Sequence, residues 1–489
     1  MSNISYEAYE PVIGLEIHVQ LNTRTKLFSR APNRFGDEPN SNIGIVDTGQ
    51  PGSLPVLNKE AVKKAVMFGL AVGSHINKKS FFDRKSYFYP DSPRNYQITQ
   101  FEQPIIKGGS IQADVGGVSK TFEIEHAHIE DDAGMLKHFT QFAGVDYNRA
   151  GAPLIEIVSK PCMFSPKEAS AYAMAIRSIM LYLDASDCNM EEGSLRIDAN
   201  VSVRKKGETN LRPKCEIKNM NSFANMEIAI ENEIRRQIHL YETHPQAHPI
   251  DLVKSATYRF DPEKKENILM RTKERAEDYR YFPEPDLPAL VLSEEFIRSL
   301  KENLPELPHQ RFKRYLENLQ LTEYAASVLI NDKKLSDIFE IGMTIAKNPK
   351  ALCNWLTVEF AGRIKESGKT LVEFGIDPMH VAELVNMIEE GVITGKIAKT
   401  LADLMVEQTG ISPRAILEKR PDLKPLSDTS SIEKIVDEIL KNNPDSIIDY
   451  KAGKERAFQY LIGQVMKQTK GTANPELVKE ILIKKIHLH

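Results

Sequence analysis

The sequence predicts an α+β fold in which an antiparallel-sheet domain is followed by helical domains. Three observations carry this: two half-polar strands, no βαβ alternation, and a change of periodicity near residue 309. In the first strand Ile13, Leu15, Ile17, Val19 and Leu21 fall on odd positions, which leaves Glu16, His18 and Gln20 on the opposite face. The second runs from Ser194 to Arg204. There Leu195, Ile197, Ala199, Val201 and Val203 face inward, and Arg196, Asp198, Asn200, Ser202 and Arg204 face outward. Strands with one wet face belong to antiparallel sheets.

Between and beyond them, strands are expected at Phe122 to Glu130, Leu154 to Ser159 and Cys215 to Asn219. Helices are expected at Lys59 to Val72, with Asn58 as N-cap, and at Pro166 to Leu183. Pro283, Pro285, Pro288, Pro305 and Pro308 then interrupt all regular structure. From about 309 to 420 the apolar spacing is helical, and after Pro425 a small helical bundle is expected. The boundaries read from these breaks are 1–295, 296–425 and 426–489.

Composition removes several classes of protein. A chain of 489 residues can bury several cores without staples, and its four cysteines, Cys162, Cys188, Cys215 and Cys353, lack CxxC spacing. They read as free thiols. No stretch approaches the roughly 18 apolar residues of a membrane helix, and the N-terminus lacks a signal peptide's pattern, so a cytoplasmic, soluble protein is expected. Net charge is 64 − 68 = −4, yet residues 451–489 hold eight Lys/Arg against three acids, a local +5. That end suits a polyanion.

Acidic residues on sheet positions are the most informative feature. Side chains two apart on a strand lie roughly 7 Å apart on one face, so Glu16 and His18 can address one volume, which Asp198 can join. Glu156 interrupts the otherwise apolar Leu154–Val158, and a buried carboxylate must be paired or bind a cation. Glu216 repeats the theme, while Glu130, Asp131 and Asp132 stand before a turn at Gly134. Several oxygens and one imidazole suit Mg²⁺ or Mn²⁺. Pairing of each acid with a neighbouring Lys or Arg is an equally good account of the pattern. His126 and His128 share odd-even phase with Phe122 and Ile124 and read as core histidines. Asp83 to Asp91 interleaves bases with tyrosines, which fits either a phosphate-binding segment or an amphipathic edge strand. Gly362 to Thr370 ends like a phosphate loop, but five residues separate its glycines and no strand precedes it. It is rejected as one.

From Gly14-Leu15-Glu16-Ile17-His18-Val19-Gln20-Leu21 onward the chain resembles the B-subunit family of the tRNA-dependent amidotransferases (GatB). The resemblance runs through Phe82-Asp83-Arg84-Lys85, Tyr87 to Asp91, His128 to Gly134, Pro153 to Val158, Glu192 to Arg196, Asp198 to Val203, Glu216 to Asn219, Asp278 to Pro288 and Gly463 to Lys467. It implies a glutamine-synthetase-like catalytic cradle, a helical linker domain and a YqeY-like tail that contacts tRNA. The implied reaction phosphorylates the side-chain carboxylate of Glu on tRNA(Gln), or Asp on tRNA(Asn), with ATP; ammonia then displaces phosphate. By the family's pattern Glu16, His18, Asp131, Glu156, Asp198 and Glu216 would hold Mg²⁺, and Lys85, Tyr87 and Asn219 would line the reacting end. In the tail Lys451, Lys454, Arg456, Lys467 and Lys470 are expected to meet tRNA phosphate. No cysteine has a glutaminase setting, so the implied partners are the family's A subunit, an amidase, and its small C subunit. Family members often bind zinc through four cysteines near the N-terminus; here the positions are Ser29, Ala31, Gly44 and Asp47, and no zinc is expected. The acidic turn reads Glu130-Asp131-Asp132 in place of Glu-Glu-Asp, which leaves open whether Glu130 or Asp131 is the ligand.

Overall fold

The computed structural model describes residues 6–272, 279–423, 429–469, 471 and 473–488. The chain divides into two compact units, Met1–His309 and Gln310–His489.

The first unit is organised by a twisted sheet whose central strand is Tyr9–Gln20. On one side it pairs antiparallel with Leu195–Lys205, which pairs with Cys215–Lys218. On the other it pairs antiparallel with Pro153–Ser159, and that strand with Val118–Asp131. The pairing is antiparallel as expected, with one exception: Cys215–Lys218 runs parallel to Ala256–Asp261, which is joined antiparallel to Glu266–Thr272. The 21-residue helix Phe223–Thr243 follows Cys215–Lys218 and was not among the expected elements.

Alternation holds in both diagnostic strands. Ile13, Leu15, Ile17 and Val19 are buried with Leu195, Ile197, Ala199, Val201 and Val203 in one core. Helices Lys59–Ala71, Pro166–Tyr182 and Phe223–Thr243 cover that apolar face and contribute Phe68, Tyr172, Ile176, Ile230 and Ile234 to it. Burying each such side chain contributes about 1.5–3 kcal/mol, so the face that must be covered is settled by the strand pattern. Asn58 caps the first helix by accepting from the Glu60 amide, as expected, and Ser165 and Ser222 cap the other two in the same manner. The opposite face of the sheet is left for polar groups.

The second unit is helical. The rejected glycine-rich segment is a helix end: Gly368 takes a left-handed φ of 66°, and Thr370 then forms a capping box with Glu373. Helices Thr429–Asn442, Pro444–Lys451, Glu455–Gln468 and Pro475–Leu488 close on a core of their own that includes Ile432, Val436, Leu461, Val465 and Leu482. No described helix is long and apolar enough to cross a membrane.

Candidate functional site

Cross-strand register builds the site. Arg196 lies opposite His18, His18 opposite Glu156, and Glu156 opposite His128, so four polar side chains stand abreast on four strands. One row along, Glu16 is opposite Asp198, and Asn200 is opposite Glu216. Two clusters result, His18 with Glu130 and Glu156, and Glu16 with Asp198 and Glu216, each with its ligand atoms within 4.8 Å of one another.

In the first cluster His18 Nε2 is 3.4 Å from Glu156 Oε2 and 3.7 Å from Glu130 Oε1. His128 Nε2 approaches the same two carboxylates at 3.3 and 3.5 Å. Burial pushes Glu156 and Glu130 toward neutrality, but His128 and His18 more than reverse it: both carboxyls lie below their ordinary value, Glu156 well below. Burial likewise opposes charge on His18, and Glu156 and Glu130 raise it nonetheless.

His128 is therefore no core histidine, and the reason is a β-bulge. Val158 pairs with His126 while Ser159 pairs with Ile124, so Glu125 is an extra residue and the alternation changes phase there. Phe122 and Ile124 enter the core before the bulge; after it Ala127 and Ile129 do, and His128 and Glu130 turn to the polar face. The unbroken run His126-Ala127-His128-Ile129-Glu130 carried that signal. Of the two acids between which the sequence left the choice open, Glu130 stands in the first cluster; Asp131 also borders the cavity beside that cluster, but it ion-pairs with Arg94 and accepts from the Ile98 amide at 2.8 Å.

In the second cluster Glu16 accepts from Asn200 Nδ2 at 2.9 Å, and its pKa is raised by burial, then by Glu156, Asp198 and Glu216. Lys218 Nζ lies 2.6 Å from Asp198 Oδ2 and 3.0 Å from Glu216 Oε1. The expected alternative, acids answered by a neighbouring base, thus holds for these two. Lys218 is 38% exposed, however, so its ammonium can withdraw to solvent in favour of an ion. The donor sets, carboxylates in one cluster and two carboxylates with an imidazole in the other, fit a hard divalent cation. His128 Nδ1, buried with no hydrogen-bond partner among the described residues, marks a site whose polar atoms are not all satisfied by protein.

A cavity of about 180 Å³ opens beside the first cluster. Lys85, Tyr87, His18, Glu130, Arg196 and Tyr279 are in its wall. Lys85 Nζ sits 4.8 Å from the centre of the Tyr279 ring. Arg84, their neighbour, is instead clamped by Glu284 at 2.6 and 2.9 Å, which is the structural half of the Asp83–Asp91 reading. Asn219 lies outside that lining, with a left-handed φ of 66° and its amide given to Phe260 O at 3.2 Å. Sequence reasoning gave no role to Arg196 and Lys218: Arg196 Nη2 donates to Asp132 Oδ2 at 2.7 Å, from a run of outward residues already visible in the strand pattern.

The four positions of the expected zinc departure gather around a carboxylate. Asp47 Oδ2 accepts from the Gly44 amide at 2.8 Å and Ser29 Oγ at 3.0 Å and pairs with the buried Lys26 at 3.3 Å, while the Ala31 amide donates to Ser29 Oγ. A cation of the chain's own already holds these groups, and their donors are not thiolates. In the tail Lys451, Lys454, Arg456 and Lys467 are exposed, Lys454 paired with Asp449 at 2.9 Å; Lys470 lies outside the described residues.

A sheet whose polar face gathers two acidic clusters, one of them beside a cavity, gives this unit a cradle for polar ligands, and comparison with known families says what kind of domain it is. The chain belongs to the GatB family: residues 11–298 match the GatB/GatE catalytic domain and residues 337–486 the GatB domain. It is 58% identical over 99% of its length to a protein of Protochlamydia amoebophila (strain UWE25), of which it covers 98%. A Chlamydia pneumoniae protein is 58% identical, with 98% of each chain covered. Both relatives are named as the B subunit of aspartyl/glutamyl-tRNA(Asn/Gln) amidotransferase.

Proposed function

We propose that this chain is the kinase and transamidase component of a tRNA-dependent amidotransferase, a carbon–nitrogen ligase with glutamine as amido donor. It converts Glu-tRNA(Gln), Asp-tRNA(Asn) or both to the amidated forms. The family membership and the near-full-length relatives support the class of reaction, and the convergence of His18, Glu130 and Glu156 beside Glu16, Asp198 and Glu216 is the observation that carries the mechanism.

A carboxylate is a poor acyl donor, so ATP first phosphorylates the substrate's side-chain carboxylate, and ammonia then displaces phosphate. Glu16, His18, Glu130, Glu156, Asp198 and Glu216 would hold Mg²⁺, or Mn²⁺, which would supply positive charge against the phosphate charge that opposes attack. Glu130 stands in this set where Asp131 was expected. Lys85 and Arg196 draw the anionic reactants into the cavity, Tyr87 borders the entry, and Asn219 shapes the far end of the second cluster through its turn. An acyl phosphate hydrolyses readily, so water must be kept from it until ammonia arrives.

The remainder of the reading concerns organisation. Residues 1–295 form the catalytic domain, 296–425 a helical domain and 426–489 a tRNA-binding tail whose separate core supports the last division. Lys451, Lys454, Arg456, Lys467 and Lys470 meet tRNA phosphate. The amidase, or A subunit, supplies ammonia, and with the small C subunit the three form a heterotrimer, which works in the cytoplasm where its tRNA is used. The test is to incubate the reconstituted complex with ATP, glutamine and each mischarged tRNA, then identify the amino acid released by deacylation. Glutamine or asparagine is expected; amidation of free glutamate without tRNA would instead indicate a small-molecule ligase.

A further inference from the structure

Directly after the acidic turn the chain leaves the sheet as a separate hairpin, Met135–His138 paired with Ala143–Asp146. Its root is fastened to the cavity wall. Ala133 is part of that wall, the Gly134 amide donates to Asp91 O at 2.8 Å, and Tyr147 Oη donates to Pro90 O at 2.7 Å. Arg149 donates to Ala133 O at 3.1 Å and Gly134 O at 2.7 Å. A Cβ at Gly134 would meet Asp146 O at 2.9 Å, so only glycine allows this root to close.

At the tip, roughly 13 Å out along four strand residues, the chemistry changes. Phe139 and Phe142 are 53% and 65% exposed, an unfavourable placement for two phenylalanines in water. Their rings stack on one another with centroids 4.7 Å apart and planes 28° from parallel. The edge of the Phe139 ring closes on the facing strand at Gly144, where a Cβ would come within 3.3 Å of it. Lys137 is the register partner of Gly144, the residue the Phe139 ring approaches, and it and His138 are exposed.

Flat exposed aromatics beside a lysine form the surface that single-stranded nucleic acid uses: bases stack on the rings and phosphates meet the cation. We propose that Phe139 and Phe142 are a stacking platform for an unpaired base in the 3′ end of the aminoacyl-tRNA, with Lys137 at the adjoining phosphate, so that the aminoacyl terminus is led from the hairpin into the cavity. This rests on the function proposed above, which requires that terminus to reach the cavity. An apolar docking knob for a protein partner would not call for a lysine beside the rings.

The test uses the complete reconstituted complex and mischarged tRNA carrying a fluorescent cytosine analogue in its single-stranded 3′ end. Wild-type complex should quench the analogue on binding. The Phe139→Ala/Phe142→Ala double variant should lose the quench and bind the tRNA on the order of tenfold more weakly, with nucleotide affinity and melting temperature unchanged; Phe139→Tyr/Phe142→Tyr should restore both signals. Equal quench and affinity in the alanine variant would overturn the proposal, as would dissociation of a protein partner from that variant, which would make the tip a protein-docking element. If the wild-type complex binds no tRNA at all, the function reading itself fails, and that result is distinct from either.

Discussion

His18 and Glu156 are direct register partners on adjacent antiparallel strands, and Nε2 of the first lies 3.4 Å from Oε2 of the second. Strand register fixes the spacing of the two backbones, and Ile17 and Ile157, in the neighbouring register pair, are fully buried. The same backbone that packs the core thus aims the polar groups, which makes the following outcomes specific.

Glu16→Ala and Asp198→Ala remove one carboxylate each from the second cluster, at positions where the backbone pairing is unaffected. ADP release dependent on mischarged tRNA should fall about a hundredfold or more, while tRNA retention on a filter stays near wild type. Full activity in both variants would leave a binding scaffold as the better account.

Glu130 and Asp131 are sequence neighbours with different expected phenotypes. Glu130→Gln should abolish most phosphorylation and also lower the melting temperature, because buried His128 and His18 each lose one of their two carboxylates. Asp131→Asn leaves the Arg94 guanidinium, 6% exposed, without its carboxylate, and should cost about 3–5 kcal/mol in a denaturant titration. Reversed phenotypes would restore Asp131 as the ligand.

At His128 burial opposes the charged ring, but Glu156 and Glu130 outweigh it and lift the imidazole to about 10 from 6.5. A base raised in the folded state stabilises fully below its unfolded value, so this contribution is complete below about pH 6.5 and fades as pH rises toward 10. In chelator, nitrogen NMR at pH 8 should show both ring nitrogens protonated. A ring with one bare nitrogen at that pH would contradict the assignment.

Removal of residues 430–489 should weaken tRNA binding at least tenfold and flatten its salt dependence by about one in the log–log slope for each phosphate no longer neutralised. Nucleotide binding should persist, since the acidic clusters are in the first unit. Unchanged tRNA affinity would remove the tail from the interface.

Much of this architecture is legible before any coordinates. The alternation of Ile13 to Val19 and of Leu195 to Val203 identifies which face is buried, and Asn58 announces its helix, because these signals are local. The helix Phe223–Thr243 and the parallel pair Glu216↔Thr257 were not expected, and the latter depends on a crossover that no short window contains.

Residue type and strand period by themselves determined that Glu16, His18 and Asp198 face away from the core, since side chains on a strand alternate whatever the partner. Only the tertiary structure decided which of them meet. One extra residue at Glu125 returned His128 and Glu130 to the polar face and sent Asp131 to Arg94, and register alone brought Lys218 to Asp198. A single-residue shift reverses every side chain beyond it, and whether a strand carries that shift is settled by pairing with a distant neighbour.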